Sequence, residues 1–189
     1  MTSRPSRANA RRTALVAAYG LFGFGYIITA TFLVAIVRES DQVRAYEPLI
    51  WLVVGLTAAP SVALWTSIGE KFGNARAFAL ACVVEALGVA TSVLWLTPPG
   101  VLLTAALLGG TFMGITALGL IRARHLSAGD PRRTLAVMTA AFGLGQIVGP
   151  TFAGVIYDAT ATFMLPSLTA VSALLVAALL AMVGPAQPS

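Results

Sequence analysis

The chain has 189 residues, of which 58% are hydrophobic and only 10% charged, with a formal net charge of +5. A soluble domain carries about 25% charged residues, so there is too little polar surface here to cover a water-soluble globule. The basic residues stand in short clusters between apolar runs, with no basic stripe and no aromatic platform, a pattern that argues against nucleic acid and for orientation in a bilayer.

Residues 1–12 form a polar tail with Arg4, Arg7, Arg11 and Arg12. An uncharged run over 13–37 follows. Arg11-Arg12 hint at a twin-arginine leader, but the run far exceeds a signal-peptide apolar region and is read as a membrane span. Further apolar runs cover 49–68, 75–96, 101–121, 134–157 and 163–183, and only the third contains a charge, Glu85. Each reaches the about 20 residues needed to cross the hydrocarbon, and none alternates as barrel strands do, so six transmembrane helices are expected. Glu47-Pro48 and Asp130-Pro131 read as helix starts, residues 97–100 (Thr-Pro-Pro-Gly) as a tight turn, and Gly184-Pro185 as the stop before a tail over 184–189. Pro60 and Pro150 fall inside spans and are expected to kink them.

Ten of the twelve Lys and Arg residues fall in the first tail, the 69–76 connection and the 122–133 loop, leaving Arg38 and Arg44 opposite. That bias puts both termini in the cytoplasm. The single cysteine, Cys82, and the single histidine, His125, make no metal-ligand pattern, and there is no Walker loop, zinc signature or nucleophile elbow. Residues 20–25 carry the glycines of a dinucleotide fingerprint in the wrong order and inside a span. No metal, cofactor or enzymatic activity is expected.

Several positions invite function. Gly145, Gly149 and Ala153 repeat every four residues and line one helix face suited to close helix contact, beside Pro150 and Gly154. Gln146 on the same helix is a solute ligand or an interhelical hydrogen bonder. The first span offers Tyr19, Tyr26 and Thr29 as hydrogen-bonding groups for a solute, and the fourth offers Thr111 and Thr116. Glu85 is an ionisable group deep in a span, costing about 2.5–3.5 kcal/mol if charged on the lenient insertion scale. It is either a proton-coupling carboxylate or a neutral acid that ties helices together. Its helical neighbours Ala77, Ala81, Gly88 and Ser92 form a small face suited to packing on protein. In the connection Glu70-Lys71-Phe72-Gly73-Asn74-Ala75-Arg76, Gly73 permits a tight reversal, and Glu70 is placed to meet Arg132 or Arg133 at the start of the fifth helix.

The string from Gly145 through Gly149-Pro150 to Ala153-Gly154 resembles the glycine–proline motif on the fifth helix of a half in the major facilitator superfamily. The 67–76 connection is similar to that superfamily's short cytoplasmic loop motif, with Glu70 where aspartate is usual and Arg76 alone of the basic pair. The first span looks like the seventh helix of the YbfB/YjiJ-type branch, which aligns the chain with the C-terminal six helices of that branch. The resemblance implies an all-α six-helix half with a three-plus-three inverted pseudo-repeat, first and fourth helices on the cavity, and Glu70, Lys71, Gly73, Arg76, Arg132 and Arg133 as a cytoplasmic latch. It implies secondary active transport of a small solute by alternating access, coupled to protons, in an inner (plasma) membrane. Such a half needs self-association as a homodimer or a separate N-terminal six-helix half. A non-transporting membrane scaffold, or an inactive remnant of a longer transporter, is the alternative reading.

Overall fold

The computed structural model describes residues 7–127 and 130–183. Arg4, the Gly184-Pro185 stop and the tail over 184–189 lie outside the described residues. Six long helices account for almost all of the described chain: α1 (Arg7–Arg38), α2 (Glu47–Phe72), α3 (Asn74–Leu94), α4 (Pro98–Leu126), α5 (Arg132–Thr160) and α6 (Met164–Ala181), with a single 3-10 turn at Arg44–Tyr46 before α2. All six are long and apolar enough to cross a membrane.

The helix ends differ from the expected bounds for local reasons. Residues 97–100 are not a free turn. Pro98 opens α4 and the Thr97 side chain accepts from the Gly100 N–H, because proline costs nothing where the backbone N–H has no helical partner. α4 then runs on to Leu126, past Arg122, which turns to the end of α6, and the exposed Arg124, whose long side chain reaches water from a helix end. α3 stops at Leu94, ahead of the proline pair. Before α5, Asp130 Oδ1 accepts the Arg132 N–H at 3.0 Å, while Pro131 occupies the cap position. α2 and α5 each remain one helix through Pro60 and Pro150.

Between α2 and α3 the chain reverses on Gly73 alone, at φ 93° and ψ 136°. That conformation is essentially closed to a residue with a Cβ. Gly73→Val is therefore expected to destabilise the bundle by about 1–2 kcal/mol although open space surrounds the position. A melting temperature equal to that of the parent protein in detergent would show the turn to be unstrained.

α1 packs mainly on α5 and α6, α4 mainly on α2 and α3, and α3 also lies along α6. α2 and α5 occupy opposite flanks without substantial contact with each other. A large core of Leu15, Phe22, Phe78, Ile115, Leu118 and Leu174 fills one part of the bundle. A smaller one of Leu33, Val37, Val43, Ile50, Val101 and Leu108 fills the end where α1 passes to α2. The flanks are much less covered: 17% of the apolar membrane-crossing stretch of α2 and 11% of that of α5 is buried, against 44–56% in the other four helices.

Candidate functional site

The α1–α5 contact is built from glycine on both sides. Gly145 lies on the backbone of Gly20 and Phe24, and Gly149 on Phe24 and Ile27, so that a Cβ at 149 would stand 2.7 Å from Ile27 Cγ2. From the other side, a Cβ at Gly23 would stand 2.6 Å from the Phe142 carbonyl oxygen. The four-residue spacing of Gly145, Gly149 and Ala153 is thus the buried face of α5. Gly154 lies off it, beside open space, and Gly143 likewise faces nothing.

That close approach brings aromatic rings from three helices into one seam. Tyr26 of α1 stacks on Phe112 of α4 with centroids 4.3 Å apart and planes 12° from parallel. Phe22 lies within ring contact of Tyr19, Tyr26, Phe112 and Phe142, and Tyr19 lies 5.3 Å from Phe142. Phe22 and Tyr19 are buried, whereas Tyr26, Phe112 and Phe142 are half-buried. Phe112 and Phe142 were not among the residues singled out from sequence, and their signal was their place beside Thr111 and four residues before Gln146.

The polar candidates divide between this seam and the packing around it. Tyr19 meets the Thr116 side chain across α1 and α4. Thr116 also donates to the Phe112 carbonyl at 3.0 Å. Gln146 is half-exposed on α5. Thr29 is buried, and its hydroxyl finds no partner among the described residues. Thr111, expected on a solute cavity, is 1% exposed and faces α3 instead, with its hydroxyl 2.7 Å from the Leu107 carbonyl and 3.3 Å from Glu85 Oε2. Glu85 is fully buried on α3, among the buried Ala77, Ala81, Gly88 and Ser92. A Cβ on Gly88 would come 2.9 Å from Leu107 Cβ, which shows how tightly α3 and α4 close at that level.

The latch residues do not meet within the chain. Glu70, Lys71 and Arg76 are exposed at the α2–α3 turn, Lys71 over the Phe72 ring, and Arg132 and Arg133 are exposed at the start of α5. Among the described residues the Arg132 side chain pairs with Asp130, at 3.9 Å. The expected Glu70–Arg132 or Glu70–Arg133 contact fails inside one bundle because α2 packs on α4 while α5 packs on α1, leaving the two charges on opposite flanks. Arg133 instead joins Arg12, Thr13, Val16, Thr134 and Val137 around an open basic cleft of about 350 Å³ between α1 and α5. At the same end Arg122 donates to the Ala181 carbonyl and so caps α6. At the opposite end the Tyr157 hydroxyl donates to Glu39 at 2.5 Å, and Arg38 grips Glu47 through two hydrogen bonds of 2.8 and 2.5 Å.

Among the described residues no three metal-ligating side chains converge. Trp65, also unremarked from sequence, donates from Nε1 to the Gly110 carbonyl at 2.7 Å and lies on Gly114, fixing α2 to α4.

No curated protein matches the chain. Residues 1–182 match the family described as "Uncharacterised MFS-type transporter YbfB". Six apolar helices of membrane-crossing length, a glycine-built contact between α1 and α5 and a match over nearly the whole sequence agree, and the chain belongs to the YbfB-type family of major facilitator transporters, multi-pass proteins of the lipid bilayer that move small solutes.

Proposed function

We propose that this chain is one half of a secondary transporter, and that it moves a small solute by alternating access once a second six-helix half covers α2 and α5. The observation that carries this reading is the state of those two flanks. Both are the least buried helices of the bundle, and both present glycines with nothing beside them, Gly55 on α2 and Gly143 and Gly154 on α5. Lipid tails do not require small residues, whereas a helix approaching closely does. The neighbour pattern also supports a three-plus-three repeat: exchanging α1 with α4, α2 with α5 and α3 with α6 maps the main contacts onto one another.

In this arrangement α1 and α4 line the solute path with Tyr26, Phe112 and Thr116, the buried Tyr19 backs them, and Gln146 borders the path from α5. Aromatic faces with few hydroxyls suit a solute that is largely apolar or carries a delocalised cation. The basic end, carrying Arg12, Lys71, Arg76, Arg124 and Arg133, is the cytoplasmic one by the positive-inside rule, so both termini face the cytoplasm of a cell whose inner membrane holds the protein. The latch then forms between halves: α2 of one half lies against α5 of the other, and Glu70 reaches Arg132 or Arg133 across the boundary. Glu85 is the proton-coupling group.

Reconstitution into liposomes with an imposed proton gradient tests the reading. Uptake of at least one member of a solute panel, abolished by dissipating the gradient, is expected. Intact folded protein that moves none of them, with or without a co-reconstituted second half, would favour the alternative of a non-transporting membrane scaffold or remnant.

A further inference from the structure

We infer that Glu85 is held in the bundle as a neutral carboxylic acid that donates its hydrogen from Oε2 to Thr111, so that a single proton ties α3 to α4. A threonine hydroxyl has one hydrogen and two lone pairs. Thr111 Oγ1 stands 2.7 Å from the Leu107 carbonyl oxygen, which can only accept, and 3.3 Å from Glu85 Oε2. The one hydrogen therefore points at Leu107. Glu85 Oε2 faces the lone pairs that remain, and the contact is attractive only if Glu85 supplies a hydrogen.

The surroundings agree. Glu85 is 0% exposed, its Oε1 has no partner among the described residues, and no Lys or Arg occurs anywhere in residues 77–121. The titratable groups in electrostatic reach are Tyr26 on α1 and Cys82 on α3. The spans 49–68, 98–121 and 164–181 on α2, α4 and α6 contribute none. Tyrosine and cysteine ionise to anions, so neither can compensate a buried carboxylate.

The position of the tie gives it a consequence. Thr111 precedes Phe112, whose ring stacks on Tyr26 in the seam. When the bundle admits water and Glu85 gives up its proton to it, the Thr111 hydroxyl must leave the Leu107 carbonyl and turn its hydrogen to the carboxylate, which rearranges α4 at the residue before Phe112 and shifts that ring against Tyr26. The protonation of Glu85 is thus read out at the aromatic surface. Only this last step rests on the transport reading; the tie itself holds for any function of the bundle.

Infrared difference spectra of the purified protein, wild type minus Glu85→Gln, test it at neutral pH. A protonated-carboxyl carbonyl band present in wild type and absent from the variant is expected, and Thr111→Val should shift that band without removing it. A carboxylate signature alone would overturn the proposal, as would a band indifferent to Thr111→Val. Thermal melts supply a second reading. Glu85→Gln keeps a donor for Thr111 and should melt close to wild type, whereas Glu85→Ala and Thr111→Val should melt about 3 °C lower and not additively when combined. Alkaline pH should lower the wild-type melting temperature more than that of Glu85→Gln. If Glu85→Gln does not fold, the wild-type minus Thr111→Val spectrum still decides. A confirmed acid with proton-independent uptake would refute coupling at Glu85 and leave the tie standing.

Discussion

Gly145→Val is expected to cost about 3 kcal/mol, close to the limit of what an overpacked core tolerates, and to leave little monodisperse protein. The reason is that a side chain at 145 meets the main chain of α1 at Gly20, Gly23 and Phe24, and backbone in a helix cannot turn aside as a side-chain tip can. Phe142 and Phe22 would part with it, so the aromatic seam would open along its length. Gly143→Val, two residues earlier and on the opposite face, meets nothing and should keep the isolated bundle within about 0.5 kcal/mol of the parent. The same Gly143→Val change should weaken association with a second half. Melting curves in detergent compare the two variants, and equal losses from both would mean that the α1–α5 contact is not where the stability lies.

Where two copies of this chain form the complex, a bis-maleimide is expected to join Glu70→Cys to Arg133→Cys between the two polypeptides and never within one. The two positions share the basic end of the bundle. Gly69 lies beside Leu118, one turn before Arg122, and Arg133 borders the cleft with Arg12. Within the chain α4 and α1 stand between them. Replacing the buried Cys82 with serine leaves a background without thiols, because it is the only cysteine. Mixing chains that each carry one of the two cysteines should give the same product. Reversing the charge in Glu70→Arg should slow uptake about tenfold, equivalent to about 1.4 kcal/mol, with recovery when Arg133→Glu is added. An efficient crosslink inside a single chain would show that α2 and α5 meet in one bundle, contrary to the structure.

The helices were legible because lipid-crossing segments must be apolar throughout, and uncharged runs mark them plainly. Their ends were less so. Pro98 reads as a turn but opens α4, and Arg122 and Arg124 read as loop but extend it, since a helix end tolerates both. The spacing of Gly145, Gly149 and Ala153 showed that α5 has a close-packing face, yet nothing in a one-dimensional pattern shows that α1 is its partner. The same limit applies to the latch: the charges of Glu70 and Arg133 are visible in the sequence, but which helices flank them, and so whether they meet within one bundle, is not. Thr111 was read toward a cavity because threonine in a span reads alike on any face. Its direction is set by the Glu85 hydrogen bond across α3, a contact between residues 26 positions apart. Phe112 and Phe142 went unremarked because phenylalanine is ordinary in a span, and only three helices together make them a surface.

Whether this bundle is a half completed through α2 and α5 is decided by the mass of the protein purified in mild detergent and checked by crosslinking in native membranes. A discrete complex of two six-helix polypeptides is expected, either two copies of this chain or this chain with a separate half, and its loss on Gly143→Val. A single chain that stays alone in both settings, with lipid on both flanks, would contradict it.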